Sequence, residues 1–285
     1  MISFPWRCLP ALVAAAGAIS QPADAEDAWT AVFPDAAGEV VSVGFAVGDG
    51  RHVVSVALSG VNAERGKLRF EGRDLPAEVF VDPVSRLVVF RVSGPPGKSL
   101  TLLADVALEP GFNVRCPDGP AGKISGWVKR IDGKILPLAL IRADYAGAAP
   151  LPGTPLVDDA GRVLAVAHQR IGANGGYALP AEVVKRVIED VRRGGRVSRG
   201  WIGLKLRPEA TMPQVTQVQE GSPSALAGVK AGDVLLEVGT RRLGDYADAV
   251  NAFYFLKPGT PTPVRVKRGN QEIKTSITPV EARVK

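Results

Sequence analysis

The sequence predicts a mainly β protein in which an antiparallel barrel or sandwich is followed by a smaller unit that mixes strands with a helix. In residues 29–179, short apolar runs alternate with turn residues at near-regular spacing, as in antiparallel barrels and sandwiches. In residues 180–193 the apolar positions change to a helical period. From Gly200 onward, short apolar runs surround one further helical segment, which indicates a second unit.

Six apolar runs in the first region are predicted to be strands. The turn signal Gly48-Asp49-Gly50 follows the first run, and Asp132-Gly133 precedes the last. The predicted strands are residues 40–47, 53–58, 87–92, 112–116, 124–129 and 135–141.

Two helices are predicted after these strands. The first covers residues 180–193, with Pro180 near its start and Gly194-Gly195 near its end. Asp245 is expected to cap the second, over residues 246–256. The strands predicted for the second unit are residues 214–219, 264–267 and 273–277.

The amino-terminal segment has the pattern of a secretory signal peptide. Arg7 precedes an apolar stretch over residues 8–19, and Ala23-Asp24-Ala25 offers a cleavage site. The stretch is too short to span a bilayer, so we expect cleavage after Ala25, a periplasmic or secreted protein and no stable membrane anchor. The predicted organisation is a signal peptide over residues 1–25, a barrel domain over 26–180, a linker helix over 181–198 and a second domain over 199–285.

Composition and charge are those of an ordinary globular protein. The chain has 285 residues, of which 46% are hydrophobic and 22% charged. Its formal net charge of +6 is modest and the basic residues are spread out, so we expect no nucleic-acid partner. Signal-peptide cleavage leaves Cys116 as the only cysteine, which predicts a small buried side chain without a disulfide. We expect no cofactor and no metal site.

One loop decides the functional interpretation. Residues 150–157, Pro-Leu-Pro-Gly-Thr-Pro-Leu-Val, have the outline of the nucleophile loop of trypsin-like serine proteases. Four positions of that outline match in place: Gly153, Pro155, Leu156 and Val157. Pro152 stands at the serine position, and Pro150 at the position of the first glycine.

Proline at these positions removes chemistry that acyl transfer requires. The reaction needs a nucleophile beside a base, and N–H donors aimed at the developing oxyanion. Proline has no backbone N–H, so Pro150 and Pro152 remove both donors of such a loop, and Pro152 also removes the nucleophile. One lost donor costs about two to three orders of magnitude in rate, and a lost nucleophile about six.

Motifs in both halves of the chain resemble those of the HtrA/Deg family of periplasmic proteases. The second unit carries Gly221-Ser222-Pro223-Ser224-Ala225, the run over residues 227–234 and Trp201-Ile202-Gly203-Leu204, which are typical of a PDZ domain of this class. Residues 176–180 resemble the segment before the family's linker helix. The resemblance covers residues 38–280. It implies a trypsin-like double six-stranded β-barrel domain followed by an α+β PDZ domain.

The resemblance also locates the positions of the catalytic triad. Leu58 takes the place of the histidine, Arg86 that of the aspartate and Pro152 that of the serine. A leucine cannot accept a proton, and an arginine cannot orient an imidazole as an anion does. We therefore expect a catalytically inactive, HtrA-like pseudoprotease that is not an enzyme and serves as a binding or regulatory scaffold.

A degenerate serine-type endopeptidase with relocated catalytic groups is the alternative. The chain has 2 histidines. His52 is expected near the exposed start of its strand, whereas His168 is expected at the end of a strand that borders the family's substrate cleft. Under this alternative, His168 is the candidate base.

The second unit needs no nucleophile to act. A PDZ domain binds a carboxylate at a turn of backbone N–H groups and adds the peptide as a strand to a sheet edge. The resemblance implies C-terminal or extended peptide segments of other proteins as partners, among them an active HtrA-type protease, and leaves a homo-oligomer open. The predicted peptide-binding residues are Trp201, Ile202, Gly203, Leu204, Lys205, Leu206, Val250 and Tyr254.

Overall fold

The computed structural model describes residues 29–94, 97–208 and 210–282. The predicted signal peptide over residues 1–25 lies outside the described residues. In the remainder the chain folds, as predicted, mainly into β-strands, with two barrel-like lobes followed by a smaller α+β unit.

The first lobe is built on one sheet of eight strands. Its order is β5-β4-β1-β2-β3-β7-β6, with β8 paired in parallel to β2. A short 3-10 helix, Ala63–Arg65, lies between β3 and β4. The strands are β1 (Trp29–Pro34), β2 (Glu39–Val47), β3 (His52–Val56), β4 (Lys67–Phe70), β5 (Arg73–Leu75), β6 (Glu78–Val81), β7 (Leu87–Arg91) and β8 (Ser99–Leu100).

Strand β3 is buried on both faces, which explains its continuous apolar character. Successive side chains of a strand point to opposite sides. Val53 therefore joins the core of the first lobe with Phe33 and Phe90, whereas Val54 and Val56 join a core that continues into the second lobe. This strand places the residues that follow it between the two lobes.

The second lobe is a closed barrel of six strands. Their order around the barrel is β10-β11-β14-β13-β12-β9. The strands are β9 (Asn113–Arg115), β10 (Ala121–Ile131), β11 (Lys134–Tyr145), β12 (Pro155–Val157), β13 (Val163–Ile171) and β14 (Gly175–Pro180). Cys116 is 4% exposed within this lobe's core, so it is the buried small residue that the sequence predicts.

Helix α1 (Ala181–Gly194) joins the barrel lobes to the C-terminal unit. Val183, Val187 and Val191 recur at helical spacing and are fully buried in the core that the two lobes share. Gly195 follows the helix with a φ of 63°, a left-handed conformation that glycine adopts without steric cost.

The C-terminal unit combines strands with two helices around its own core. Asp245 caps α3 through a reciprocal capping box with Asp248, as its position before an apolar periodic run predicts. The elements are β15 (Gly200–Trp201), β16 (Leu204–Leu206), β17 (Val215–Val218), α2 (Pro223–Leu226), β18 (Val234–Val238), β19 (Arg241–Arg242), α3 (Tyr246–Tyr254), β20 (Thr262–Arg268), β21 (Gln271–Ile277) and β22 (Val280–Glu281). Within residues 29–282, gaps aside, we find no helix long and apolar enough to cross a bilayer.

Candidate functional site

Arg86 and Leu58, which the sequence resemblance assigns to two triad positions, are in direct contact. The Arg86 guanidinium donates from Nη2 to the carbonyl oxygen of Leu58 at 2.8 Å, and from Nε to that of Ala57 at 3.1 Å. A longer contact of 3.4 Å reaches the carbonyl of Val61. Where the triad would pair a carboxylate with an imidazole, this chain therefore has a cation that fixes the backbone of residues 57–61.

A tight turn over residues 82–86 positions this arginine. Arg86 has a φ of 61°, which is unusual for a residue with a Cβ. Its N–H donates to the carbonyl of Asp82 at 2.9 Å. The Asp82 carboxylate in turn accepts the N–H groups of Val84 and Ser85, at 3.1 and 3.2 Å. These bonds offset the cost of the left-handed conformation, which is about 1–2 kcal/mol.

Pro152 and Gly153 form the bend that corresponds to a nucleophile loop. The carbonyl of Pro152 accepts the N–H of Val43 at 2.9 Å, and the N–H of Gly153 donates to the carbonyl of Ala167 at 2.7 Å. Gly153 has a φ of 85°, and a Cβ there would lie 1.9 Å from the carbonyl oxygen of Val43. Glycine is thus required at position 153, because the backbone of Val43 leaves no room for a side chain. Pro152 is buried and offers neither a hydroxyl nor an N–H.

His168 lies on β13, directly after Ala167, at a bulge in the pairing of β13 with β14. Burial lowers the pKa of its imidazole to about 4; the backbone of Ser85 opposes that shift, and the positive charge of Arg86 adds to it. Its Nδ1 atom is sealed from solvent without a hydrogen-bond partner. The ring is therefore neutral at pH 7, and it is next to the turn that carries Arg86.

The other histidine lies at a different place. His52 begins β3, and it is 5% exposed rather than at an open strand end. Its Nδ1 is 3.5 Å from the carboxylate of Asp49. Burial lowers the pKa of His52, and the charge of Arg192 lowers it further, against the effect of Asp49. His52 pairs with Arg91 across the sheet and stands away from the Leu58 end of the strand.

Two buried serines approach this region, and both hydroxyls are occupied. Ser55 donates to the carbonyl of Val43 at 2.7 Å, beside Gly153. Ser85 donates to the Asp82 carboxylate at 2.5 Å. Among the described residues, no hydrogen bond joins a serine hydroxyl to a histidine ring. The same part of the chain contains no group of three or more His, Cys, Asp or Glu side chains suited to a metal ion.

Helix α3 of the C-terminal unit docks onto the Asp82 turn. The hydroxyl of Tyr254 donates to the fully buried Asp82 carboxylate at 2.7 Å. Arg199 forms an ion pair with the same carboxylate, and its guanidinium stacks 4.4 Å from the centroid of the Tyr254 ring. Burial raises the pKa of Tyr254, and the negative charge of Asp82 raises it further. The predicted peptide-groove residue Tyr254 therefore faces the barrel lobes.

A second buried charge pair reinforces this junction. Arg186 and Asp190, one turn apart on α1, are 3.3 Å apart and almost fully buried. Arg186 also donates to the carbonyls of Ser198 and Leu256, at 3.0 and 3.1 Å, and so binds the linker and the end of α3 together. Burial raises the pKa of Asp190, whereas the charge of Arg186 opposes that shift. Removing one member leaves a buried charge unpaired, which is costly.

Further polar contacts extend the junction along α3. The Asn251 side chain accepts the N–H of Ala139, a residue of β11. Lys129 of β10 lies 2.5 Å from Asp248 at the start of α3. These contacts hold one side of the helix against the barrel.

The other candidate site is the free edge of β16. Among the described residues, β16 pairs only with β17, so its second edge has no strand beside it. Gly203 precedes this strand with a φ of 75°, and a Cβ on it would lie 2.2 Å from the Cβ of Ser222. Ile202 is buried and anchors the turn, because its carbonyl accepts the N–H of Ser224 at 3.0 Å. The geometry is that of a backbone turn leading into an open strand edge.

The predicted groove residues divide into two sets. Those at the turn and on β16 lie together: Trp201, Ile202, Gly203, Leu204, Lys205 and Leu206. Trp201 and Lys205 are exposed, and Val250 on α3 is partly exposed. Tyr254 does not lie with these residues, because its hydroxyl binds the Asp82 carboxylate. Asp82 and Arg199 were not identified from the sequence, because no local pattern marks a polar contact between residues more than 100 positions apart.

Comparison with known proteins supports the two-part organisation. Residues 200–278 match the model of the PDZ domain family. A probable periplasmic serine endoprotease DegP-like of Halomonas elongata is 28% identical over 234 residues, which is 73% of this chain and 49% of the relative. A protein with the same description from Brucella suis is 25% identical over 239 residues, 73% of this chain and 46% of the relative. The chain thus spans about half the length of these relatives.

Solved structures show the same fold. The HtrA-type protease AlgW with a tripeptide superimposes with a TM-score of 0.66 at 19% identity, over 92% of this chain and 95% of AlgW. The serine endoprotease from Yersinia pestis gives a TM-score of 0.60 at 20% identity, over 91% of this chain and 95% of that chain. Both comparisons cover the barrel lobes and the C-terminal unit together.

These comparisons correct one prediction. The expectation that the chain is not an enzyme is wrong, because the curated relatives are named serine endoproteases and the similarity points to a protease. The assignment of Leu58, Arg86 and Pro152 to the triad positions stays a prediction from the sequence. The predicted fold and resemblance are confirmed: two β lobes with the fold of HtrA-type proteases precede a C-terminal PDZ domain, and the chain is similar to DegP-like proteins.

Proposed function

We propose that this chain is a periplasmic, HtrA-type endopeptidase with relocated catalytic groups, which captures polypeptides through its PDZ domain. The open edge of β16 beside the Gly203 turn is the observation that carries the binding part of this proposal. The curated relatives, which are named periplasmic serine endoproteases, support the location and the reaction class.

The ligand of the PDZ domain is proposed to be a C-terminal or extended segment of another protein, including one from an active HtrA-type protease. An incoming strand would pair with the backbone of Leu204–Leu206, and its carboxylate would meet the turn at Gly203. AlgW, whose fold this chain shares, has been solved with a tripeptide and with a decapeptide. We propose the boundary between the linker helix region and the PDZ domain at residues 198 and 199.

His168 is the proposed base of the relocated site. At pH 7 it is neutral, because burial lowers its pKa to about 4. A neutral imidazole can accept a proton, but a pKa this low makes it a weak base, so the proposal predicts slow cleavage. Ser85 is the proposed nucleophile, because it lies in the turn whose backbone influences the pKa of His168. Its hydroxyl donates to Asp82, so it must rotate away from that carboxylate before it can attack.

Cleavage of casein by the purified full-length mature protein, with and without serine-protease inhibitors, tests the catalytic part. The proposal predicts slow, inhibitor-sensitive cleavage that His168→Ala and Ser85→Ala both abolish. His52→Ala is the matched control, because it removes the other histidine and leaves the cleft intact. Absence of inhibitor-sensitive cleavage, or cleavage unaffected by His168→Ala, contradicts the relocated site.

Fluorescence anisotropy of labelled peptides tests the binding part separately. A peptide with a free C-terminal carboxylate should bind at least tenfold more tightly than its C-terminal amide, and Gly203→Trp should remove that preference. Equal affinity for the two peptides would contradict carboxylate capture by the PDZ turn, whatever the outcome of the cleavage assay.

A further inference from the structure

The Arg86 guanidinium has no anionic partner in the part of the chain that the structure describes. It has five N–H donors. Nε donates to Ala57, and Nη2 donates to Leu58 and Val61. Within the described residues, Nη1 has no hydrogen bond and no carboxylate lies within 4.0 Å of the group. Nη1 is not among the polar atoms that are sealed from solvent without a partner, so solvent reaches it.

Other arginines in comparable settings do have such a partner. Arg186 pairs with Asp190, Arg199 with Asp82 and Arg268 with Asp233. Arg86 is half-buried like several of these, and burial lowers its pKa without a compensating carboxylate. A desolvated cation that is held by carbonyl groups alone gains free energy when an anion binds it.

His168 borders the same position. The charge of Arg86 lowers the pKa of His168, so the two groups lie within electrostatic reach. The buried Nδ1 of His168 has no hydrogen-bond partner. The region thus combines a fixed guanidinium with an imidazole that has an unused polar atom.

We propose that Arg86, with His168 beside it, forms an anion-binding subsite in the cleft that takes a carboxylate of a bound polypeptide. Guanidinium and carboxylate groups match in charge and geometry, which makes arginine the usual residue for this recognition. The carboxylate belongs either to an Asp or Glu side chain or to a chain terminus. This subsite is separate from the PDZ turn and requires no cleavage, so it stands whether or not the relocated catalytic groups function.

Peptide binding to the full chain in the Gly203→Trp background tests this proposal, because that change closes the PDZ turn. Three labelled peptides of otherwise equal sequence are compared by anisotropy: one with an internal Glu and an amidated end, one with Gln and an amidated end, and one with Gln and a free carboxylate. We expect the first or the third to bind at least fivefold more tightly than the second. The tighter of the two identifies the source of the carboxylate. Equal binding of all three would overturn the proposal.

Variants then assign the preference to Arg86. Arg86→Gln should remove the preference for the peptide that carries a carboxylate, and Arg86→Lys should retain part of that preference. Arg91→Gln is the control and should leave the preference unchanged, since Arg91 is paired with Glu78. An equal loss in Arg86→Gln and Arg91→Gln would overturn the assignment. Thermal unfolding shows whether each variant is folded.

A second measurement avoids mutation of Arg86 altogether. The chain has 2 histidines, so selective labelling of histidine gives two imidazole signals, which His52→Gln assigns. Acetate should shift the His168 signal with saturation, whereas acetamide should not. Equal responses to acetate and acetamide, or a response confined to His52, would contradict the subsite.

Discussion

The hydroxyl of Tyr254 donates a 2.7 Å hydrogen bond to the carboxylate of Asp82, and this bond joins the PDZ helix to the turn that carries Arg86. The two residues are 172 positions apart in sequence. Asp82 is fully buried, so each of its partners stabilises a charge that water cannot reach. The junction thereby links the packing of the C-terminal unit to the geometry of the cleft.

Tyr254→Phe should therefore destabilise the protein although it removes only one oxygen atom. A hydrogen bond to a buried charged group contributes about 1.5–3 kcal/mol to the free energy of unfolding. Urea denaturation measures the change. Tyr246→Phe is the control, because Tyr246 is also buried but makes no hydrogen bond through its hydroxyl among the described residues. Equal effects of the two substitutions would contradict a specific role for the Asp82 contact.

Gly203→Ala should impair the PDZ turn by steric overlap in addition to backbone strain. The new Cβ would lie 2.2 Å from the Cβ of Ser222. Gly228→Ala is a matched control: Gly228 has a φ of 78°, close to the 75° of Gly203, but a Cβ there meets nothing within 4 Å. Both changes should cost about 1 kcal/mol or more for the left-handed conformation. Only Gly203→Ala should also weaken peptide binding, as measured by anisotropy. An equal loss of peptide affinity in both variants would contradict a role of the Gly203 turn in binding.

His168 should make stability depend on pH in a defined direction. Its folded-state pKa of about 4 lies below the ordinary value near 6.5, so the unfolded chain binds the proton more readily. The neutral ring makes its full contribution to the free energy of unfolding above about pH 6.5, and this contribution is lost as the pH falls towards 4. Between pH 7 and pH 5, wild type should lose about 1–2 kcal/mol more than His168→Gln in urea denaturation. Parallel pH profiles would show that His168 is not buried in its neutral form.

Pro152→Ser should not increase cleavage. The new hydroxyl would stand at the nucleophile position, but Leu58 supplies no base there and Arg86 no orienting anion. Casein assays of wild type and Pro152→Ser should agree within about twofold, since single members of a catalytic unit contribute little alone. A large gain in inhibitor-sensitive rate would contradict the placement of Leu58 and Arg86 at the triad positions.

Local signals in the sequence were sufficient for much of the fold. The helical period of Val183, Val187 and Val191 and the capping position of Asp245 each predicted an element that the structure contains. Strands β4–β6 were not predicted, because short runs that are half exposed or interrupted by charged residues carry a weak periodic signal.

The candidate site was predictable only where a motif constrains the backbone. Gly153 and Gly203 hold positive-φ positions that few other residues tolerate, and both turns form as expected. Tyr254 was assigned to the groove on helical spacing, but spacing cannot decide between two apolar faces when a second domain covers one of them. The Asp82 contacts depend on tertiary packing that the chain reveals only after folding.

Hydrogen exchange of the full-length protein shows whether peptide adds as a strand to the open edge of β16. A saturating peptide with a free C-terminal carboxylate should slow amide exchange in residues 202–206, because new interstrand hydrogen bonds protect the edge strand. Exchange in β20 and β21, which pair with each other, should stay unchanged. Slower exchange in residues 202–206 is the result expected for strand addition. Unchanged exchange there, with bound peptide protecting another part of the chain, would contradict strand addition at β16.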